Sequence, residues 1–421
     1  MKFFKYLIAF FIGSFSYFDL NLIGRVPLSE VISFGSISFL PKIKKHVYDL
    51  EYYKRYKFAL FALFLWIFGI VISDIIANNN IDSFLKGILK PVFSFLWLIF
   101  FLKILTNDYR ALLLIPLGKF FASLQNYFFP REYSAEYLLS SEYTNIAFGI
   151  SPILLATGAY LSIFFFKKSK PLSVISLLIT STILAWLGAP RSMSALFIFV
   201  AILISYQKYF IKIINKNSLL SIINKLGIFL IFVVIFSVIF YVYVYAALKG
   251  FMGPEQAIKL YEQSNNFFGL SPLGLFIGGR PQFFAGLLAI WDNPLFGYGS
   301  WSASQLSDYF YKATEILGIS SQTSLYTFND GIGHSILLVA WIENSILAFF
   351  AMLMIGYCVF KVFITTLSTI NDLTPYLLIT LVFFIWDYFF SPFGVEARFN
   401  IGLILALYIT KFPFNNNSKV M

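Results

Sequence analysis

Cysteine and histidine are nearly missing from this sequence: its 421 residues include one cysteine, Cys358, and two histidines, His46 and His334. A single thiol excludes a disulfide framework and a cysteine-based metal site. With no HExxH run, two histidines so far apart do not form a zinc-hydrolase arrangement. The chain also lacks a GxxxxGK[ST] loop for nucleotide phosphates and an Asp-x-Asp pair for a divalent ion on a sugar-phosphate donor. Charge is scarce too. Charged residues make up 12% and hydrophobic ones 59%, a balance far from that of a soluble domain. The formal net charge of +11 is scattered between apolar runs, so it reports orientation in a bilayer rather than nucleic-acid binding.

The sequence does contain apolar runs, each long enough to cross a hydrocarbon core of ~30 Å as a helix. In lipid, backbone groups must be satisfied internally, and the stretch 60–72 is apolar on every face, which excludes the alternation of a barrel strand. The expected fold is therefore all-α and polytopic, with about twelve transmembrane helices. They fall near 3–23, 27–41, 58–76, 84–105, 109–128, 146–166, 172–189, 193–210, 227–247, 340–363, 374–393 and 398–412. The opening MKFFK reads as the start of a first span rather than a cleaved signal. Most Lys and Arg then fall on one side, which places both termini in the cytoplasm. Residues 1–247 carry nine spans, 248–332 form a large extracytoplasmic loop, and 333–421 return with three spans and a short tail. So long a connection predicts structure and purpose of its own. Short amphipathic helices are expected around Pro254–Asn265, opened by a proline, and Gln282–Trp291.

Three ionisable residues on the outer face follow glycine-containing turns: Arg191 after Gly188-Ala189-Pro190, Arg280 after Gly278-Gly279, and His334 after Gly331-Ile332-Gly333. Glycine lets backbone approach a ligand closely, and an arginine fork matches phosphate oxygens in pairs. The alternative for Arg191 is an interfacial anchor, and for His334 a satisfied interfacial histidine. Histidine suits proton transfer near neutrality. The loop aromatics belong mostly to an interfacial belt, with Tyr298 and Trp301, nearest a Gly-rich turn, as candidates for a sugar-ring platform. Lys119 and Asp387 stand inside spans and are expected to pair with each other, a proton path or a lipid-phosphate contact being the alternatives. Cys358 reads as a packing residue.

These residues carry a resemblance. Arg280 through Gly299, an arginine before a helix that ends in Pro-Leu-Phe-Gly-Tyr-Gly, resembles the signature of the O-antigen polymerase and ligase superfamily. Pro190-Arg191-Ser192-Met193-Ser194 resembles its arginine-serine motif. Gly333-His334-Ser335 through Trp341-Ile342-Glu343-Asn344-Ser345 resembles its histidine segment. Ligase-branch members carry glycine about where Ser345 stands; this departure argues against close helix packing there and favours the polymerase branch. The resemblance implies a metal-independent, cofactor-free glycosyltransferase of the GT-C type acting on undecaprenyl-pyrophosphate-linked oligosaccharide. The enzyme would sit in the bacterial inner membrane with its active site in the periplasm. Membrane lipid and a chain-length regulator protein are the implied partners. It makes Arg191 and Arg280 the cations for the leaving pyrophosphate and His334 the base, with Glu343, Asp330 and Glu396 in reserve. Tyr298, Trp301, Glu343 and Arg398 are the implied substrate contacts. The function expected is repeat-unit polymerisation; the alternatives are ligation of glycan to lipid A core and, from another class, a lipid-linked oligosaccharide flippase.

Overall fold

A computed structural model describes residues 2–22, 24–43, 50–129, 149–187, 191–214, 237–238, 241–242, 244–251, 254–302, 306–319, 332 and 334–412. Helices dominate. In chain order they are α1 (Lys2–Ser14), a hairpin of β1 (Asp19–Leu22) and β2 (Gly24–Pro27), α2 (Leu28–Ser36), α3 (Leu50–Ile76), α4 (Ile81–Asp108) and, past a 3-10 turn at Tyr109–Leu113, α5 (Leu114–Phe128). Then come α6 (Ser151–Phe166), α7 (Lys170–Trp186), α8 (Arg191–Ser205) and α9 (Gln207–Ile214). Within the 248–332 segment lie α10 (Pro254–Ser264), α11 (Pro272–Gly279), α12 (Pro281–Asp292) and α13 (Ser307–Leu317). The chain returns as α14 (Ile336–Ser368), α15 (Thr374–Phe390) and α16 (Val395–Thr410).

Among the described residues, three stretches are long and apolar enough to cross a membrane: Leu50–Ile76, the continuous run Ile81–Phe128, and Ile336–Ser368. The pair α11 and α12, bent by 71°, adds a fourth if it counts as one broken span. At 1.5 Å per residue α3 alone extends about 40 Å. The expected span at 3–23 is corrected: its helix stops at Ser14, and Asp19, Asn21, Gly24 and Pro27 turn the chain into the hairpin, with Asp19 opposite Pro27 and Leu22 opposite Gly24. These turn-forming and helix-breaking residues outweigh the apolar average of the stretch. The expected span at 27–41 is also shorter, and the buried residues of α2 are Ser29, Glu30, Ser33 and Ser36. The span at 227–247 lies mostly outside the described residues. Both amphipathic helices of the 248–332 segment are present, as α10 and α12.

Glycines set the closest helix approaches. A Cβ on Gly13 would stand 2.7 Å from the Gly118 Cα, so α1 and α5 cross backbone to backbone. Gly402 lets α16 lie against Trp97 of α4, and Trp97 also meets Phe399 edge-on at 5.0 Å. Antiparallel to α3, α14 breaks at Asn344 and Ser345, where Ser345 takes φ 78°, ψ 169°. That region belongs essentially to glycine. The expectation of loose packing at Ser345 is overturned: Ser345 is buried, and the small residue is supplied by the partner helix, where a Cβ on Gly69 would lie 2.7 Å from the Asn344 carbonyl. Ser345→Gly is expected to raise stability by about 1 kcal/mol, because strain of this kind costs ~1–3 kcal/mol and the only side-chain bond lost is a 3.4 Å contact to the Gly69 carbonyl. Thermal unfolding in detergent measures it; a lower melting temperature for the glycine variant would sink this account.

Candidate functional site

Two of the predicted motif stretches reach the last turns of α15. Arg280 stands at the break between α11 and α12, with its guanidinium carbon 5.8 Å from the Trp386 ring centre. Asp387, the next residue on α15, faces the same guanidinium electrostatically. His334 is half-buried with Nδ1 sealed from solvent, and it directly precedes Ser335, the N-cap of α14. The Ser335 hydroxyl accepts from the Leu338 N–H and donates to the Tyr388 carbonyl at 3.1 Å, which ties the histidine segment to this end of α15. Arg191 is the first residue of α8, and its side chain lies outside the described structure. α8 runs antiparallel to α15: Phe197 meets Phe383 edge-on at 5.6 Å, while Gln207 donates to the Thr366 and Thr369 carbonyls just before α15 begins. Arg191 is six residues before Phe197 and Asp387 four beyond Phe383, so both backbones rise about 6–9 Å above that contact. Asp330 lies outside the described residues.

The expected Lys119–Asp387 pair is corrected. The Lys119 ammonium donates to Glu396 at 2.7 Å and lies 5.0 Å from the centre of the Phe399 ring. Position along a span cannot tell which neighbouring helix a charge meets. Lys119 and Glu396 line a small pocket with Ile12, Ser16, Ser29, Glu30, Trp97, Val395 and Phe399, roomy enough for a water or one hydroxyl but not for a sugar ring.

Two predicted substrate contacts lie in buried ion pairs. Arg398 is buried, paired with the buried Glu30 at 3.1 Å, bonded to the Arg25 carbonyl and stacked over Phe93 at 4.9 Å. Glu343 is buried and accepts from Lys90 at 2.7 Å. The two predicted platform aromatics part company. Tyr298 is half-buried with its hydroxyl 2.8 Å from that of Tyr309, which donates to Asp292; burial first and these bonds next push the Tyr309 phenol well above its usual range. Trp301, in a left-handed conformation at φ 66°, sits half-exposed over the Lys90 ammonium at 5.2 Å.

The Pro-Leu-Phe-Gly-Tyr-Gly turn is a wedge. Tyr298 N–H donates to the Ile342 carbonyl and Ile346 N–H to the Leu295 carbonyl, so the turn fills the backbone break in α14. Trp341 Nε1 donates to the Pro294 carbonyl at 2.7 Å. Buried Asp74 of α3 closes the other side, accepting from the Ser300 N–H at 2.6 Å, from its hydroxyl at 2.8 Å and from Asn79 at 2.7 Å. The wedge thus joins the segment that carries Arg280 to the helix that follows His334. Sequence reasoning missed Asp74, Lys90 and Trp386. The signal for the first two was an ionisable residue within an apolar run near a span's end; positive-inside counting takes Lys90 as flanking charge and passes over Asp74.

No protein-family model matches the chain, and no curated protein matches it.

Proposed function

We propose that the chain is a polytopic membrane glycosyltransferase of the O-antigen polymerase kind. It joins undecaprenyl-pyrophosphate-linked oligosaccharide units at the periplasmic face of the bacterial inner membrane, with about twelve spans and residues 248–332 as its outer loop. One observation carries the reading: two motif stretches far apart in sequence meet the last turns of α15, Arg280 over Trp386 and the histidine segment through the Ser335 bond to the Tyr388 carbonyl. The reaction needs a fixed cation where the leaving pyrophosphate gathers charge, and a proton acceptor beside the attacking hydroxyl. Arg280 supplies the first. Its side chain is half-buried, with the guanidinium over Trp386, so the planar fork is oriented before substrate arrives.

Purified protein given lipid-linked repeat units and no core acceptor is expected to yield a ladder of glycan lengths. Arg280→Lys is expected to lower turnover by on the order of tenfold, because a point charge neither stacks on Trp386 nor offers a planar pair of donors. A fully active lysine variant would reduce Arg280 to an anchor. Transfer only when lipid A core is supplied would instead favour the ligase. That second reading draws on Ser345, whose backbone already has the geometry a glycine would take, so the side chain there does not separate the branches. A flippase wants charge facing a central cavity, whereas Lys90, Lys119 and Arg398 are each held by a carboxylate.

A further inference from the structure

We infer that Glu396 takes the proton from the acceptor hydroxyl, an assignment that rests on the glycosyl-transfer reading. Of the acidic residues available for this step, Glu343 is buried against Lys90, whereas the Glu396 side chain is 55% exposed. It projects from the first turn of α16 and lines the hydroxyl-sized pocket with Ser16 and Ser29. The 2.7 Å bond from Lys119 orients the carboxylate, with the ammonium held over Phe399. Glu396 opens α16 ten residues after Trp386, the ring that Arg280 meets near the end of α15, so the short α15–α16 connection brings the two halves to one end of the bundle. Glu396 stands beside the pocket and Arg280 beside Trp386.

The step balances. The acceptor O–H proton passes to the Glu396 carboxylate as the hydroxyl oxygen bonds to the anomeric carbon of the donor glycan. The bond from that carbon to the pyrophosphate oxygen breaks, and its electron pair leaves on the lipid pyrophosphate beside Arg280. Glu396 later returns the proton to solvent.

The test uses full-length protein in nanodiscs with lipid-linked repeat units. Glu396→Gln is expected to lower kcat by on the order of 100-fold with KM nearly unchanged. Glu396→Ala is expected to recover part of its turnover in sodium formate, a small carboxylate that enters the vacated pocket; a purely structural role gives no such rescue. Wild-type turnover in Glu396→Gln, or a Glu396→Ala variant that formate leaves unchanged, overturns the inference while the glycosyl-transfer reading stands. A wild-type protein that transfers no glycan under any condition overturns both.

Discussion

Lys90→Met is expected to destabilise the fold by about 3–5 kcal/mol, since it leaves the Glu343 carboxylate buried with its cation removed. Lys90 and Glu343 sit on α4 and α14 with side chains 9% and 5% exposed, and the ammonium lies between the Trp301 and Phe393 rings at 5.2 and 5.6 Å. Neither water nor lipid headgroups can take over the missing charge. Replacing both residues, as Lys90→Met with Glu343→Met, is expected to recover most of the loss, because a buried ion pair exchanged for apolar groups of similar volume is often neutral. Thermal unfolding of the two single variants and the double variant in one detergent measures the coupling. Strictly additive losses would show that the pair contributes nothing as a pair.

Gly297→Ala is expected to cost about 3 kcal/mol or more, through two effects at one atom. Gly297 has φ +71°, where an L side chain is strained, and its Cβ would lie 2.6 Å from the Ile342 carbonyl and 2.9 Å from that of Trp341. Those are backbone atoms of the broken helix, so the wedge itself must withdraw. The Tyr298 to Ile342 and Ile346 to Leu295 bonds then fail together. Gly35→Ala is the control: that glycine lies in α2 with nothing within 4 Å of a Cβ, so alanine there is expected to be neutral or mildly stabilising. Equal melting temperatures for Gly297→Ala and wild type would mean the wedge is not seated in α14.

The helical class and the membrane-length runs were legible from hydrophobicity alone, because an apolar segment in lipid has few ways to satisfy its backbone. The amphipathic helices α10 and α12 were legible too, from a proline start and their periodicity. Arg280 and His334 stood out in the sequence because glycine next to an ionisable residue is a local signal. Which charge meets which was not legible. Lys119 pairs with Glu396, Arg398 with Glu30 and Lys90 with Glu343, at separations of 277, 368 and 253 residues, and only the packing of helices chooses among such partners. The same holds for the β1–β2 hairpin and for Ser345, whose glycine-like backbone depends on a wedge 46 to 51 residues earlier in the chain. Sequence alone determined what each segment tends to be, since hydrophobicity and backbone freedom are local properties. Tertiary structure decided what each charge is for, since an ion pair, a pocket and an oriented guanidinium exist only between segments.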